Sequence, residues 1–141
     1  MELPGGSAEL PVLVVVDAAN VVGSVPDGWW RDRAGANARL RDALALLDPA
    51  HLTGGRAAEL VLVVEGAAAG IAPVPGVRVV AAPASGDDTV VDVVAGEASG
   101  RDCVVVTADR GLRERVARLG ARVVGPAAVR PATPPAGRRD R

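Results

Sequence analysis

The fold of this chain is set by one run of residues, Pro11-Val12-Leu13-Val14-Val15-Val16-Asp17. Residues 11–16 are all apolar, and most of them are β-branched valines. An unbroken apolar run of this length predicts a strand that is buried on both faces. Because strands buried on both faces are typical of parallel sheets, the run indicates a parallel sheet covered by helices on each side.

The rest of the chain repeats this strand pattern and places helices between the strands. Further strands are predicted at residues 59–65, 77–82, 102–107 and 121–124. Helices are predicted from about Trp30 to Leu47, from Gly86 to just before Gly100, and from Arg110 to just before Gly120. The alternation predicts an α/β fold, a three-layer sandwich around a central parallel sheet.

The composition excludes several classes of enzyme. The chain has 141 residues, a formal net charge of −1, one His and one Cys, and all 16 of its basic residues are Arg. Without Lys there is no P-loop, no pyridoxal Schiff base and no kinase-type catalytic lysine. One Cys and one His cannot form a Cys/His zinc site, and Ser-His-Asp catalysis would require His51. Carboxylates acting with a hard divalent cation remain as the catalytic machinery to expect.

The near-neutral net charge is the sum of two parts of opposite charge. Residues 1–109 carry 7 Arg against 15 acidic residues, whereas residues 110–141 carry 9 Arg against 2. The basic part is suited to a polyanion, although a solvated helix face with a polar tail gives the same pattern. We predict a flexible N-terminus over residues 1–10, one domain over 11–125 and a Pro/Arg-rich tail over 126–141. No signal peptide or membrane span is recognisable, so a cytoplasmic location is expected.

Acidic residues follow the predicted strands. Asp17 and Glu65 end the first two strands, Asp87, Asp88 and Asp92 open the helix after the third, and Asp109 follows the fourth. The carboxyl ends of parallel strands share one edge of the sheet, where ligands of α/β proteins bind. Each acid alone could be a helix cap or a turn residue. Taken together they predict a site for Mg²⁺ or Mn²⁺, because clustered carboxylates repel one another unless a cation compensates.

Three motifs together carry a resemblance to a known family. They are Val14-Val15-Val16-Asp17-Ala18-Ala19-Asn20, Gly86-Asp87-Asp88-Thr89 and Val105-Val106-Thr107-Ala108-Asp109-Arg110. In order and spacing the set is similar to the signature of NYN domains, which are PIN-like ribonucleases. The resemblance implies a sheet of order 3-2-1-4-5 and an RNA phosphodiesterase that depends on Mg²⁺ or Mn²⁺. It also implies metal coordination by Asp17, Asp88 and Asp109, an additional acid at Asp87, and an Asn20 that helps to hold the site or the phosphate.

Most of the remaining candidate residues can be interpreted in two ways. Trp29 and Trp30 are suited to stacking on bases, but a helix-start staple packed on the core explains them equally well. Arg31, Arg33 and Arg110 are candidate phosphate contacts, or simply exposed residues at helix starts. Asp92 is a candidate outer-shell contact through water. His51 is expected to be incidental and Cys103 to be buried in the core. Arg115, Arg118 and Arg122 are interpreted first as a solvated face.

The sequence thus predicts a metal-dependent ribonuclease. Its catalytic residues would be Asp17, Asp88, Asp109 and Asn20, with Asp87 among the metal ligands and single-stranded RNA as the partner. A homodimer is compatible with this reading. Two alternatives stay open: an RNA-binding module of the same fold without turnover, and a nucleotide phosphohydrolase.

Overall fold

A computed structural model describes residues 10–130 of the chain. Its sheet has five strands: β1 (Val12–Asp17), β2 (Ala58–Val64), β3 (Val77–Ala81), β4 (Cys103–Val106) and β5 (Arg122–Val124). All are parallel, in the order β3-β2-β1-β4-β5. The predicted α/β class and strand order are confirmed. β1 lies at the centre, paired with β2 and β4, which explains why its six residues are all buried.

Five helices complete the fold: α1 (Ala18–Gly23), α2 (Arg33–Leu46), α3 (Ala50–Thr53), α4 (Gly86–Glu97) and α5 (Arg110–Ala117). Side chains alternate across β1, so Val12, Val14 and Val16 face one layer while Leu13 and Val15 face the other. The first layer contains α1, α2 and α3, and the second contains α4 and α5. This is the predicted three-layer sandwich.

Two helices lie where loops were predicted. α1 follows β1 without a linker, and Asp17 caps it by accepting a hydrogen bond from the Asn20 backbone N–H. The sequence does not indicate α1, because its adjacent residues Val21 and Val22 are β-branched and favour strands. α3 is a single turn after Pro49.

Two predicted boundaries also move. α2 begins at Arg33 rather than near Trp30, because Asp32 caps it, and residues Trp29–Arg31 form a separate 3₁₀ turn. The packed domain continues past the predicted boundary at 125, since Pro126–Ala128 form another 3₁₀ turn and Val129 is only 1% exposed. The rest of the predicted tail, residues 131–141, and the predicted N-terminal segment up to residue 9 lie outside the described residues. Within the described part of the chain, no helix has the length and apolar character needed to cross a membrane.

Candidate active site

Asp17 is the centre of the acidic edge. It is the last residue of β1 and only 3% exposed. Its Oδ2 accepts a hydrogen bond from the Thr107 hydroxyl at 2.9 Å, and its Oδ1 accepts one from the Asn20 backbone N–H at 3.4 Å. Burial, with smaller contributions from the nearby carboxylates of Asp87 and Glu65, raises the pKa of Asp17 to about 6, although the two hydrogen bonds act to lower it. A carboxyl group is therefore held at the strand end at an electrostatic cost.

Two polar side chains hold the loop between β4 and α5 against Asp17. The Thr107 oxygen that donates to Asp17 also accepts the Asp109 backbone N–H at 3.1 Å. The Asn20 side-chain oxygen accepts the backbone N–H of Ala108 at 2.7 Å. Asn20 thereby ties α1 to this loop, and its predicted role in holding the site stays a prediction. Thr107 was not singled out in the sequence, although its place between β4 and Asp109 in the third motif was the available signal.

Asp109 opens α5. Its Oδ1 accepts the backbone N–H of Leu112 at 2.8 Å, so the residue is a helix cap. The side chain is exposed, and its charge raises the pKa of Asp87 across the gap between the starts of α4 and α5. Asp109 therefore combines the capping role with a place in the acidic group.

The consecutive acids Asp87 and Asp88 have different surroundings. Asp87 is half-buried, and its pKa is raised by burial first and then by Asp109 and Glu65. Asp88 is exposed, and its Oδ1 accepts from Arg115 at 3.0 Å. The resemblance assigns metal coordination to Asp88 and an additional role to Asp87, whereas the surroundings place Asp87 among the other carboxylates. The role of each in metal binding stays a prediction.

Glu65 joins the same group from the end of β2. Its Oε2 accepts the backbone N–H of Gly86, the first residue of α4, at 3.3 Å. A Cβ atom at position 86 would lie 2.6 Å from this oxygen, so the close approach depends on glycine. Glu65 was recognised as an acid at this edge but was not among the predicted site residues, because a glutamate that ends a strand is common on its own.

We refer to Asp17, Glu65, Asp87 and Asp109 as the acidic quartet. Each comes from a different segment, and none forms an ion pair with an arginine within residues 10–130. In the arrangement described for these residues, no three Asp, Glu, His or Cys side chains are grouped closely enough to hold a metal ion. The donor chemistry nevertheless fits Mg²⁺ or Mn²⁺, since both prefer carboxylate oxygens. The pKa values of Asp17 and Asp87 are raised mainly by burial and, to a smaller extent, by the neighbouring carboxylates.

Four of the five basic and aromatic candidates, Trp29, Trp30, Arg31 and Arg33, lie just before α2 or at its start. The Arg33 guanidinium lies over the Trp29 ring, 5.2 Å from its centroid, and Arg31 lies 5.6 Å from the centroid of Trp30. Trp29 is partly buried against the core, and Trp30 is 54% exposed. Arg110 is exposed at the start of α5.

Three other residues that the sequence singled out have surroundings of their own. His51 contacts the carbonyl oxygen of Ala128 through Nε2 at 2.7 Å. Cys103 is a buried free thiol whose pKa burial raises to about 11, as a core residue requires. Asp92 is exposed on α4.

Comparisons with known proteins give a relationship at the level of the fold. No model of a protein family matches the sequence, and no curated protein matches it. The structure is similar to the crystal structure of the W164L mutant of Rae1 (YacP) from Bacillus subtilis, with a TM-score of 0.64 and 16% sequence identity. The match covers 84% of this chain and 72% of that chain. At this identity the likeness shows the fold alone.

Proposed function

We propose that this protein is a metal-dependent ribonuclease of the NYN type. The observation that carries the proposal is the acidic quartet: four carboxylates from four segments, with no arginine paired to them among residues 10–130, at the edge where parallel sheets bind ligands. A fold does not imply a function, so the argument rests on this site and on the three motifs that resemble the NYN signature. RNA is the proposed substrate because those motifs belong to ribonucleases.

Asp17, Asp87 and Asp109 are the proposed ligands of Mg²⁺ or Mn²⁺, with Glu65 beside them. A bound divalent cation polarises a phosphoryl oxygen and lowers the pKa of coordinated water. In the proposed hydrolysis, the water oxygen bonds to phosphorus, the bond from phosphorus to the 3′-oxygen breaks, and the 3′-oxygen takes up a proton. The products are a 5′-phosphate and a 3′-hydroxyl.

The chain's own residues fix the geometry for this reaction. Thr107 binds both Asp17 and the Asp109 backbone, so the two carboxyl-bearing residues cannot separate without breaking a buried hydrogen bond. Asn20 uses its oxygen on the Ala108 N–H, which leaves its side-chain N–H groups for a phosphate oxygen. Arg110, exposed one residue after Asp109, is a proposed phosphate contact.

The test is cleavage of end-labelled single-stranded RNA with Mn²⁺, with Mg²⁺ and with EDTA. The Asp17→Asn variant should lose more than about 100-fold in rate, because even changes outside the ligand set of a metal site cost up to this factor. Asp42→Asn is the matched control: the same substitution on exposed α2, where Asp42 pairs only with neighbouring Arg41. Equal rates for wild type and Asp17→Asn, or cleavage that persists in EDTA, would overturn the proposal.

A second candidate is an RNA-binding module without turnover. Two observations favour it: no ready-made group of three metal ligands exists in the described residues, and residues 110–141 hold 9 Arg against 2 acids. It predicts salt-dependent RNA binding that survives Asp109→Asn, with no cleavage by the folded wild type in any of the metals. A comparison of RNA with nucleoside triphosphates separates both candidates from a nucleotide phosphohydrolase.

A further inference from the structure

A cleft of about 180 Å³ lies beside the acidic quartet. We call it the Trp29 cleft. Its lining includes Ala19, Val22, Trp29, Arg33, Asn37 and Glu65. Glu65 belongs to both the cleft and the acidic quartet, and Ala19 is two residues beyond Asp17. A group bound in the cleft would therefore be next to anything held at the acidic edge.

One side of the cleft offers a planar surface. The partly buried Trp29 ring packs above Gly23, where a Cβ atom would lie 3.7 Å from its Cζ2. The Trp30 ring meets it edge-on, with 6.0 Å between centroids and 87° between planes. The guanidinium carbon of Arg33 lies over the Trp29 ring, 5.2 Å from its centroid. Proteins bind unstacked RNA bases on aromatic rings and guanidinium planes of this kind.

The other side of the cleft has hydrogen-bond acceptors without partners. Asn37 is only 6% exposed, and its Nδ2 donates to the Arg33 carbonyl oxygen at 2.8 Å. Since a carbonyl oxygen can only accept, the nitrogen must face it, and Oδ1 is the free end. No residue from 10 to 130 donates to this oxygen, and Glu65 has only one carboxylate oxygen engaged, by Gly86. A buried acceptor left unpaired costs free energy that a ligand donor would recover.

From this geometry we propose that the Trp29 cleft binds one base of an RNA strand and selects bases that present donors on their Watson–Crick edge, guanine first. Guanine offers adjacent N1–H and N2–H₂ donors to the Asn37 and Glu65 oxygens, whereas uracil offers a single N–H between two acceptors. The stacking surface accepts any base, so discrimination comes from the acceptors. The inference rests on the proposed function for RNA as the ligand, but it concerns binding rather than turnover.

Intrinsic fluorescence tests the cleft directly. The chain has two Trp and no Tyr, so the Trp30→Phe variant leaves Trp29 as the only strong fluorophore. The variant is titrated in EDTA with guanosine 5′-monophosphate and uridine 5′-monophosphate, which carry the same phosphate. We expect saturable quenching with at least about tenfold tighter binding of the guanosine nucleotide, since sites built to hydrogen-bond a ligand reject analogues that lack the donor. The reciprocal Trp29→Phe variant, which keeps Trp30, should show no saturable quenching.

Asn37→Ala in the Trp30→Phe background removes the free acceptor and keeps the stacking surface. It should reduce the preference for the guanosine nucleotide at least about threefold, since one of the two acceptors is lost while Glu65 remains. Thermal unfolding of the variant confirms that α2 is intact. Equal binding of both nucleotides by the parent protein, no quenching, or discrimination unchanged by Asn37→Ala would each overturn the inference.

A second arm separates RNA from free nucleotides. Equal-length oligonucleotides, one all-uridine and one with a single internal guanosine, are titrated into Asp17→Asn/Trp30→Phe. Tighter binding of the guanosine-containing strand supports an RNA base as the occupant, and binding of the mononucleotide without the strand overturns it. These binding measurements do not depend on cleavage. A failed nuclease assay therefore contradicts the proposed function, whereas a failure of guanosine binding contradicts the proposal for the Trp29 cleft.

Discussion

Carboxylates at the two edges of the sheet have opposite surroundings. At the amino edge, Arg78 reaches Glu97 through two hydrogen bonds of 2.6 and 2.7 Å and lies 3.5 Å from Glu59. Arg101 pairs with Glu59 at 3.1 Å, and Arg56 pairs with Asp102 just before β4. At the carboxyl edge, the acidic quartet lies together with no arginine bonded to any of its members within the described residues. One edge is neutralised internally, while the other keeps its negative charge.

The pKa shifts follow this difference. Arg78 lowers the pKa of Glu97, while burial and neighbouring carboxylates raise the pKa values of Asp17 and Asp87. Ion pairs of the first kind stabilise a surface modestly, whereas unpaired clusters of the second kind are characteristic of functional sites. The chain has enough arginine to pair the acidic quartet, so the contrast lies in the placement of the residues and not in the composition.

The largest expected effect separates two neighbours within the carboxyl edge. If an unpaired carboxylate is what the reaction needs, Asp87→Asn should reduce RNA cleavage more than about 100-fold and Asp88→Asn less than about tenfold. Asp88 already has Arg115 as a partner, whereas Asp87 faces Asp109 and Glu65. Cleavage rates measured with Mn²⁺ compare the two variants, each being the control for the other. If Asp88→Asn reduces the cleavage rate more than Asp87→Asn does, metal coordination is assigned to Asp88, as the motif resemblance implies.

The next largest expected effect is on the free energy of unfolding, which the negative charge of buried Asp17 lowers. Asp17 has a folded-state pKa of about 6 against an ordinary value of 3.8, so the folded protein binds the proton more tightly than the unfolded chain. Stability therefore falls as pH rises from about 4 to 6, and the penalty is complete above pH 6. The shift corresponds to roughly 3 kcal/mol, and an Asn at 17 loses one accepted hydrogen bond, worth about 1 kcal/mol.

Asp17→Asn should therefore be more stable than wild type by about 2 kcal/mol at pH 7.5 in EDTA, with the advantage lost near pH 4.5. Urea unfolding at the two pH values measures this difference. A variant that is less stable than wild type at pH 7.5 would show that Asp17 is a structural acid, like those of the amino edge.

The smallest expected effect lies at the amino edge. Arg78→Gln removes the ion pairs to Glu97 and Glu59, but Arg78 is well exposed and Glu59 keeps Arg101. We expect a loss of at most about 1 kcal/mol in unfolding free energy and an unchanged rate of RNA cleavage. Urea unfolding and the cleavage assay check the two statements. A large loss of cleavage would mean that the two edges are coupled, contrary to the comparison.

Much of this architecture was readable from particular residues. The apolar run at 11–16 predicts the central buried strand, and Gly86 with Asp87 and Asp88 marks the start of α4, where the structure places it. α1 was missed because Val21 and Val22 favour strands locally, while packing against β1 and α2 makes them helical. Thr107 and Glu65 were missed as site residues because each is ordinary in its own segment and meets its partners only across the sheet.

The sequence alone therefore determined the sheet, the three longest helices of residues 10–130 and the edge at which the acids meet, because the period of apolar residues and the direction of parallel strands depend on local pattern and chain connectivity. It could not determine which acid of a consecutive pair joins the others. Neighbouring helix residues point about 100° apart, so the choice between Asp87 and Asp88 depends on how α4 is rotated when Val90, Val93 and Val94 pack on the sheet. That rotation is a property of the packed core. It leaves Asp87 near the carboxylates of Asp109 and Glu65, while Asp88 pairs with Arg115.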